Sequence, residues 1–263
     1  MGLGIHKAGA LVAFSLMLLA AASPPGQLQP VSCDLHDQLY RLGYSTDYAW
    51  GVRRNSSGSR VYLYEGPKGR GVLIVEGGRV VRQVERPGDV AFLNDDEQFV
   101  AWADDFEKGA TFGNGGHRDL RGGPFDVDPG GRYFVIGGGY GETSEIAAVA
   151  EPARTLARAK LQAQRIFAAE NKIYLLGSGQ GGSLVCQTYA VTAESASLID
   201  EQRIAGLAHE VLDMDPTTER IVISGEGIFS WQLVELHTGR YKILGLGYKP
   251  TLFLQPGVML GSH

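Results

Sequence analysis

The chain has little of what most enzymes and most nucleic-acid binders need. Its 263 residues carry a formal charge of −5, and no cluster of Lys or Arg offers a landing site for a polyanion or an anionic membrane surface. Neither nucleic acid nor a lipid headgroup layer is therefore an expected partner. No G-x-S-x-G elbow is present, and six scattered histidines leave no readable triad. Low-complexity tracts are absent, so a folded domain is expected rather than disorder. Long amphipathic helices are also missing. The one stretch rich in helix formers, residues 153–167 (ARTLARAKLQAQRIF), reads equally as an outer strand passing into the next unit. Beyond the N-terminal segment no apolar run is long enough for a transmembrane helix.

The N-terminal segment is different in kind. MGLGIHK carries one lysine, and AGALVAFSLMLLAAAS follows as an apolar run ending in small residues. This is the pattern of a signal peptide over residues 1–23, cleaved near Ala22 or Ser23. The run is about 15 residues, short of the ~20 that a membrane span requires. Retention as an N-terminal anchor is the alternative. Cys33 lies too far beyond the run to be a lipid-modified first residue. The expected location is secreted or periplasmic, with no integral membrane span after cleavage.

What is abundant is glycine, 37 residues, recurring with a repeat. Five segments align: 90–105 (VAFLNDDEQFVAWADD), 125–141 (FDVDPGGRYFVIGGGYG), 165–181 (RIFAAENKIYLLGSGQG), 211–227 (VLDMDPTTERIVISGEG) and 251–262 (TLFLQPGVMLGS). Each is an apolar strand, a polar or Pro-Gly turn and a second apolar strand. Residues 47–66 form a weaker sixth copy. The spacing of about 40 residues is that of four-stranded antiparallel units. Third and fourth strands are legible in 71–85 (GVLIVEGGRVVRQVE) and 228–247 (IFSWQLVELHTGRYKILGLG), both hairpin patterns.

On these strand–DPGG–strand and strand–HTG–strand patterns the chain resembles the β-propeller superfamily, with WD-repeat-like blades. The WD dipeptide and the Gly-His pair of that signature are absent, so the resemblance is to the architecture. It implies an all-β propeller of about six four-stranded blades, five or seven being the alternatives. Blade starts fall near residues 48, 89, 123, 163, 208 and 248. The last blade has only two strands before the C-terminus. Residues 24–46 are therefore expected to close the ring on a propeller domain spanning 47–263, with the missing strands drawn from about 28–46. Blade 2 is the thinnest, since KGATFGNGGHRDLRGG is poor in strand formers.

Three local motifs invite other readings. Gly177–Gly182 (GSGQGG) spells the G-x-G-x-x-G of dinucleotide-binding turns. It occupies the same repeat position as Gly137–Gly141 and Gly225–Gly227, and the strand-like SLVCQTYAV follows it instead of a helix. Tight turns between second and third strands explain all three, so no cofactor is expected. His209-Glu210-Val-Leu-Asp213 has zinc-motif spacing but enters a strand, not the helix such a motif needs. Asp126 and Asp128, and Asp213 and Asp215, read as strand and turn residues rather than calcium ligands. The acidic runs Asn94–Glu97 and Asp104, Asp105, Glu107 are the densest in carboxylate, but no metal site is assigned.

Two function classes remain. The first is an exported non-catalytic propeller acting as a binding scaffold for a protein or peptide. Loops joining second to third strands would present Lys68, Arg70, Asp104, Asp105, Tyr140, Glu142, Gln180 and Glu226 around one face, a mixed set suited to such a partner. The second is a small secreted propeller enzyme (a hydrolase, lyase or cyclase), perhaps with calcium on the axis. That reading requires carboxylates or histidines converging in the central channel. Export would permit a disulfide between Cys33 and Cys186, the only two cysteines. The blade map places them two blades apart, whereas a disulfide needs Cα atoms within about 7 Å. Both are expected as free thiols, with Cys186 buried between blades.

Overall fold

The computed structural model describes residues 14–18, 29–32, 51–64, 71–77, 79–104, 109–120, 123–137, 143–207, 210–224, 231–243, 249–255 and 258–262. Among these, 24 strands form six four-stranded antiparallel sheets, the blades of a ring. The chain begins in the closing blade with β1 (Phe14–Leu18) and β2 (Gln29–Ser32). Blade 1 is β3 (Gly51–Arg54), β4 (Arg60–Tyr64), β5 (Gly71–Glu76) and β6 (Arg79–Glu85). Blade 2 is β7 (Val90–Leu93), β8 (Phe99–Ala103), β9 (Ala110–Phe112) and β10 (His117–Arg118), its last two strands short as expected. Blade 3 is β11 (Phe125–Val127), β12 (Tyr133–Ile136), β13 (Ser144–Ala148) and β14 (Thr155–Ala159). Blade 4 is β15 (Gln162–Ala169), β16 (Lys172–Ser178), β17 (Ser183–Val191) and β18 (Ala196–Leu207). Blade 5 is β19 (Val211–Asp215), β20 (Arg220–Ser224), β21 (Trp231–Glu235) and β22 (Tyr241–Ile243). Residues 153–167 are thus the outer strand of blade 3 and the inner strand of blade 4.

Blade 6 joins the two chain ends. β23 (Lys249–Gln255) and β24 (Val258–Ser262) are its inner strands, and β1 pairs antiparallel with β24, Leu16 opposite Leu260. β2 pairs with β1 at the outside. β23 in turn lies against β19 of blade 5 and β3 of blade 1, which closes the ring. Of the two N-terminal strands, Gln29–Ser32 falls within the segment expected to supply closure. Phe14–Leu18 lies upstream of it, in the apolar run with leader character.

Adjacent blades bury both faces of each middle strand, which is why these strands read as unbroken apolar runs. Alternate residues serve alternate neighbours. In β12, Phe134 and Ile136 pack toward blade 2 and Val135 toward blade 4. In β16, Ile173 and Leu175 join the core with blade 3, while Tyr174 and Leu176 join the core with blade 5. Each such side chain contributes roughly 1.5–3 kcal/mol on burial. Blades 2 and 3 are further held by Phe92, Phe112, Phe125 and Phe134, with successive ring centroids 4.6–6.3 Å apart.

Turns between first and second strands share one design. Asn55, Asn94, Asp128 and Asp215 each open a turn and accept hydrogen bonds from its backbone or hydroxyl groups. The chain then needs a positive φ, met by Gly58 (72°), Glu97 (59°), Gly131 (71°) and Glu219 (50°), with Glu170 (50°) in the tight turn of blade 4. Glu97 and Glu219 offset that strain with ion pairs, Glu97 to Arg60 and Arg82, Glu219 to Lys172 and His237.

Candidate functional site

The first strands of the blades line the axis, and they carry charge. Arg53 and Arg54 are consecutive in β3, so their side chains leave on opposite faces. Arg53 passes over the Phe92 ring of blade 2, 4.3 Å from its centroid, and donates from Nη2 to Asp126 Oδ1 of blade 3 at 2.6 Å. Arg54 turns the other way, past blade 6, and donates from Nε to Asp213 Oδ2 of blade 5 at 2.9 Å. Its remaining nitrogens donate to the carbonyls of Met214, Asn55 and Ser56. Asp126 Oδ2 accepts from the Ile166 backbone N–H at 2.9 Å, tying blade 3 to blade 4. Arg165 of β15 completes the group, its Nε 3.4 Å from Asp126 Oδ2.

Three guanidiniums thus meet two carboxylates. Burial lowers the pKa of the Arg165 guanidinium, the neighbouring Asp126 carboxylate opposes this, and Arg53 adds to it. A guanidinium remains charged under such pressure. At the edge of the cluster Asp128 accepts from the N–H groups of Gly130, Arg132 and Tyr133. Its pKa is raised from 3.8 to about 6 by burial, against the opposing pull of those hydrogen bonds and Arg132. Between these groups lies a cavity of about 10 Å³, lined by Arg53, Arg54, Phe92, Asp128, Arg165 and Asp213 among others.

This cluster lies toward the end of the ring that carries the turns between first and second strands, because Arg54, Leu93 and Val127 end their strands there. The loops expected to form a binding face join second to third strands and belong to the opposite end. Of their residues, Asp104 is exposed at the end of β8, and Gln180 begins a single 3₁₀ turn, Gln180–Gly182. Lys68, Arg70, Asp105, Tyr140, Glu142 and Glu226 lie outside the described residues.

The glycine motif proves to be a hairpin connection between β16 and β17, not a strand-to-helix turn. Positive φ is needed at Gly181 (75°) and Gly182 (76°). Gly179, at φ −84°, does not need it. Gly177 is required for contact instead, since a Cβ there would lie 2.1 Å from the Gln162 carbonyl oxygen. His209 is outside the described residues, and Asp213 lies in β19, so no helix presents that motif. Asp95 accepts from the Ser56 backbone N–H at 2.7 Å, and Glu97 is held by two arginines, so this acidic run serves the blade 1–blade 2 contact. Among the described residues no three His, Cys, Asp or Glu side chains are grouped to hold a metal.

A second cleft, about 420 Å³, opens between the outer parts of blades 4 and 5, lined by Cys186, Asp200, Gln202, Glu219 and His237. Cys186, on the third strand of blade 4, is a buried free thiol in the inter-blade core, as the blade map requires. Burial pushes it up to about 12, which makes it a poor nucleophile. Cys33 lies outside the described residues. For Glu219, burial works to raise the pKa, but hydrogen bonds from Tyr174 and Lys172 and the charge of His237 outweigh it and lower it.

A closed ring of four-stranded blades with a charged axial lining defines a β-propeller. No family model and no curated protein matches the chain. Solved structures do. A putative TolB from Agrobacterium tumefaciens is 11% identical over 97% of this chain and 92% of its own, with a TM-score of 0.53. A functionally unknown protein from Desulfotomaculum acetoxidans is 10% identical over 94% and 98%, TM-score 0.49. The Cps50 (Swd1) β-propeller domain of Myceliophteria thermophila is 13% identical over 80% and 77%, TM-score 0.49. At these identities the likeness is one of fold.

Proposed function

We propose that this chain is an exported, non-catalytic β-propeller that binds a protein or peptide partner. The observation that carries this reading is the state of the axial carboxylates. Asp126 and Asp213, the acids best placed for chemistry on the axis, are each bonded to an arginine of another blade. A carboxylate so engaged already serves an arginine, unsuited to general acid–base work or to calcium, which wants several free oxygens. The blades also take up nearly all of the described chain, which leaves binding by loops as the simplest use of the ring. The partner face is assigned to the loops with Lys68, Arg70, Asp104, Asp105, Tyr140, Glu142, Gln180 and Glu226. Export rests on the leader character of residues 1–23; cleavage near Ala22 or Ser23 would remove β1 (Phe14–Leu18), and closure of the mature ring then rests on β23 packed against β19 and β3.

The test uses the full chain expressed with its own N-terminus. N-terminal sequencing of the exported form establishes cleavage near Ala22 or Ser23. The mature protein then serves as bait in the extracytoplasmic fraction, beside a variant with Lys68, Arg70, Tyr140 and Glu142 changed to alanine. A partner retained by the first and lost by the folded second supports the reading. A hydrolytic, lyase or cyclase activity that disappears in Asp126→Asn would overturn it.

A further inference from the structure

We propose that the mature ring carries a strand-acceptor edge at β24, filled by an extended apolar segment of another protein running antiparallel to Val258–Ser262. Export, on which this rests, removes the strand that now holds the position. β1 lies between β24 and β2 as the third strand of blade 6, paired antiparallel with β24 from Phe14 opposite Ser262 to Leu18 opposite Val258. Cleavage near Ala22 or Ser23 takes it away with the leader. Blade 6 is then one strand short of the four in every other blade. Along five residues, β24 is left with a row of unpaired N–H and C=O groups.

The mature chain has no ready replacement among its described strands. β2 is antiparallel to β1, as β1 is to β24, so β2 runs parallel to β24 and would have to reverse to continue the ladder. It is four residues long and holds Pro30, which has no N–H to give and suits only an outer strand. In the sequence that follows, Leu35, Leu39 and Leu42 recur at helical spacing after Asp34, where a strand would alternate. A second copy has no strand to lend, since every described strand already belongs to a blade. The occupant therefore comes from a different protein. Its chemistry follows from the third strands of other blades: Gly71–Val75 of β5 and Ser183–Tyr189 of β17 are buried throughout. A strand in this position is apolar, uncharged and without proline, as the five residues FSLML are. The edge is separate from the loop face. A ring that takes a strand at β24 and captures nothing through its loops would retain this inference and lose the loop assignment; the reverse would lose this inference alone.

The experiment uses the full chain with a site-specific protease sequence placed at residues 22–24, folded intact and then cut. The probe is a fluorescent, lysine-tagged peptide of residues 12–20, VAFSLMLLA, in excess. Hydrogen exchange across 249–262 reads the edge. The amides of 258–262 that face the leader strand should be protected in the uncut chain, lose about tenfold or more of that protection once the leader fragment is washed out, and regain it as the peptide saturates. The same peptide with Leu16→Pro and Met17→Pro should bind about tenfold or more weakly, because one of two consecutive strand residues must point its N–H at β24. A cut ring that unfolds without the leader and refolds with the peptide, but not with its proline version, gives the same result; one that refolds with neither would overturn the proposal. Protection that survives leader removal would also overturn it: in a monomer the chain's own mature segment has taken the position, and in a dimer a second copy has. Equal binding of the two peptides, or binding that leaves 258–262 unprotected, would overturn it as well.

Discussion

Replacing Arg54 by methionine tests whether the ring is held across its axis. Arg54 and Asp213 are 5% and 3% exposed, and the pair joins blade 1 to blade 5 past the closing blade. The substitution removes the cation from a buried carboxylate. It also strips donors from the carbonyls of Met214, Asn55 and Ser56. Removing one partner of a buried pair costs about 3–5 kcal/mol, most of it from the charge left behind. In a chain of this size that corresponds to a fall of about 6–20 °C in the unfolding midpoint. Urea unfolding followed by tryptophan emission would give the free-energy change directly. The second arm is Arg54→Met with Asp213→Leu, which removes both charges. It should recover at least half of the loss, because an apolar pair of similar volume needs no compensation. A single-variant loss under about 1 kcal/mol, or a double variant as damaged as the sum of the two singles, would refute the cross-axis tie.

Three further outcomes are expected. Gly177→Ala should destabilise far more than Gly179→Ala in parallel urea melts: the first Cβ meets backbone at Gln162 and Ala163, the second a Val185 methyl that can rotate away. Asp128 holds its proton up to about pH 6 in the folded chain against 3.8 when exposed by unfolding, so its contribution favours folding below about pH 4 and is lost as pH rises through 6. The stability difference between wild type and Asp128→Asn should change by about 3 kcal/mol across that window and be flat on either side. Cys186, with its thiol pushed to about 12 by burial, should resist maleimide in the native protein at pH 7 and react once unfolded, read by peptide mapping. Rapid native labelling would show that the blade 4–blade 5 core opens.

The blades were legible because their signal is local. A run such as Lys172–Ser178 followed by glycines and a second β-branched run needs no distant partner to be read as a hairpin, and the observed first strands begin at 51, 90, 125, 162, 211 and 249, close to the expected starts. The axial cluster was not legible, because its arginine–aspartate bonds join residues of different blades. Arg53 and Asp126 are 73 residues apart, Arg54 and Asp213 159 apart. One signal was present. Asp126-Val-Asp128 and Asp213-Met-Asp215 sit at the same place in two repeats, and in each the second Asp closes the turn while the first crosses to another blade. Two carboxylates two residues apart look like one acidic motif in the sequence and have separate roles in the fold.

While residues 1–23 remain attached, the join in blade 6 sets the order in which the ring can close. β1 pairs with β24, Phe14 opposite Ser262, so the sheet cannot form until residues 258–262 have been made. Until then the nascent chain is an open arc, with the flanks of blade 1 and blade 5 that β23 will cover still exposed to water. Pairings this distant in sequence form slowly, and exposed strand edges attract other chains meanwhile. Loss of the last five described residues, 258–262, would remove more than one strand. It would disconnect β1 and β2 from β23 and leave the ring without its latch.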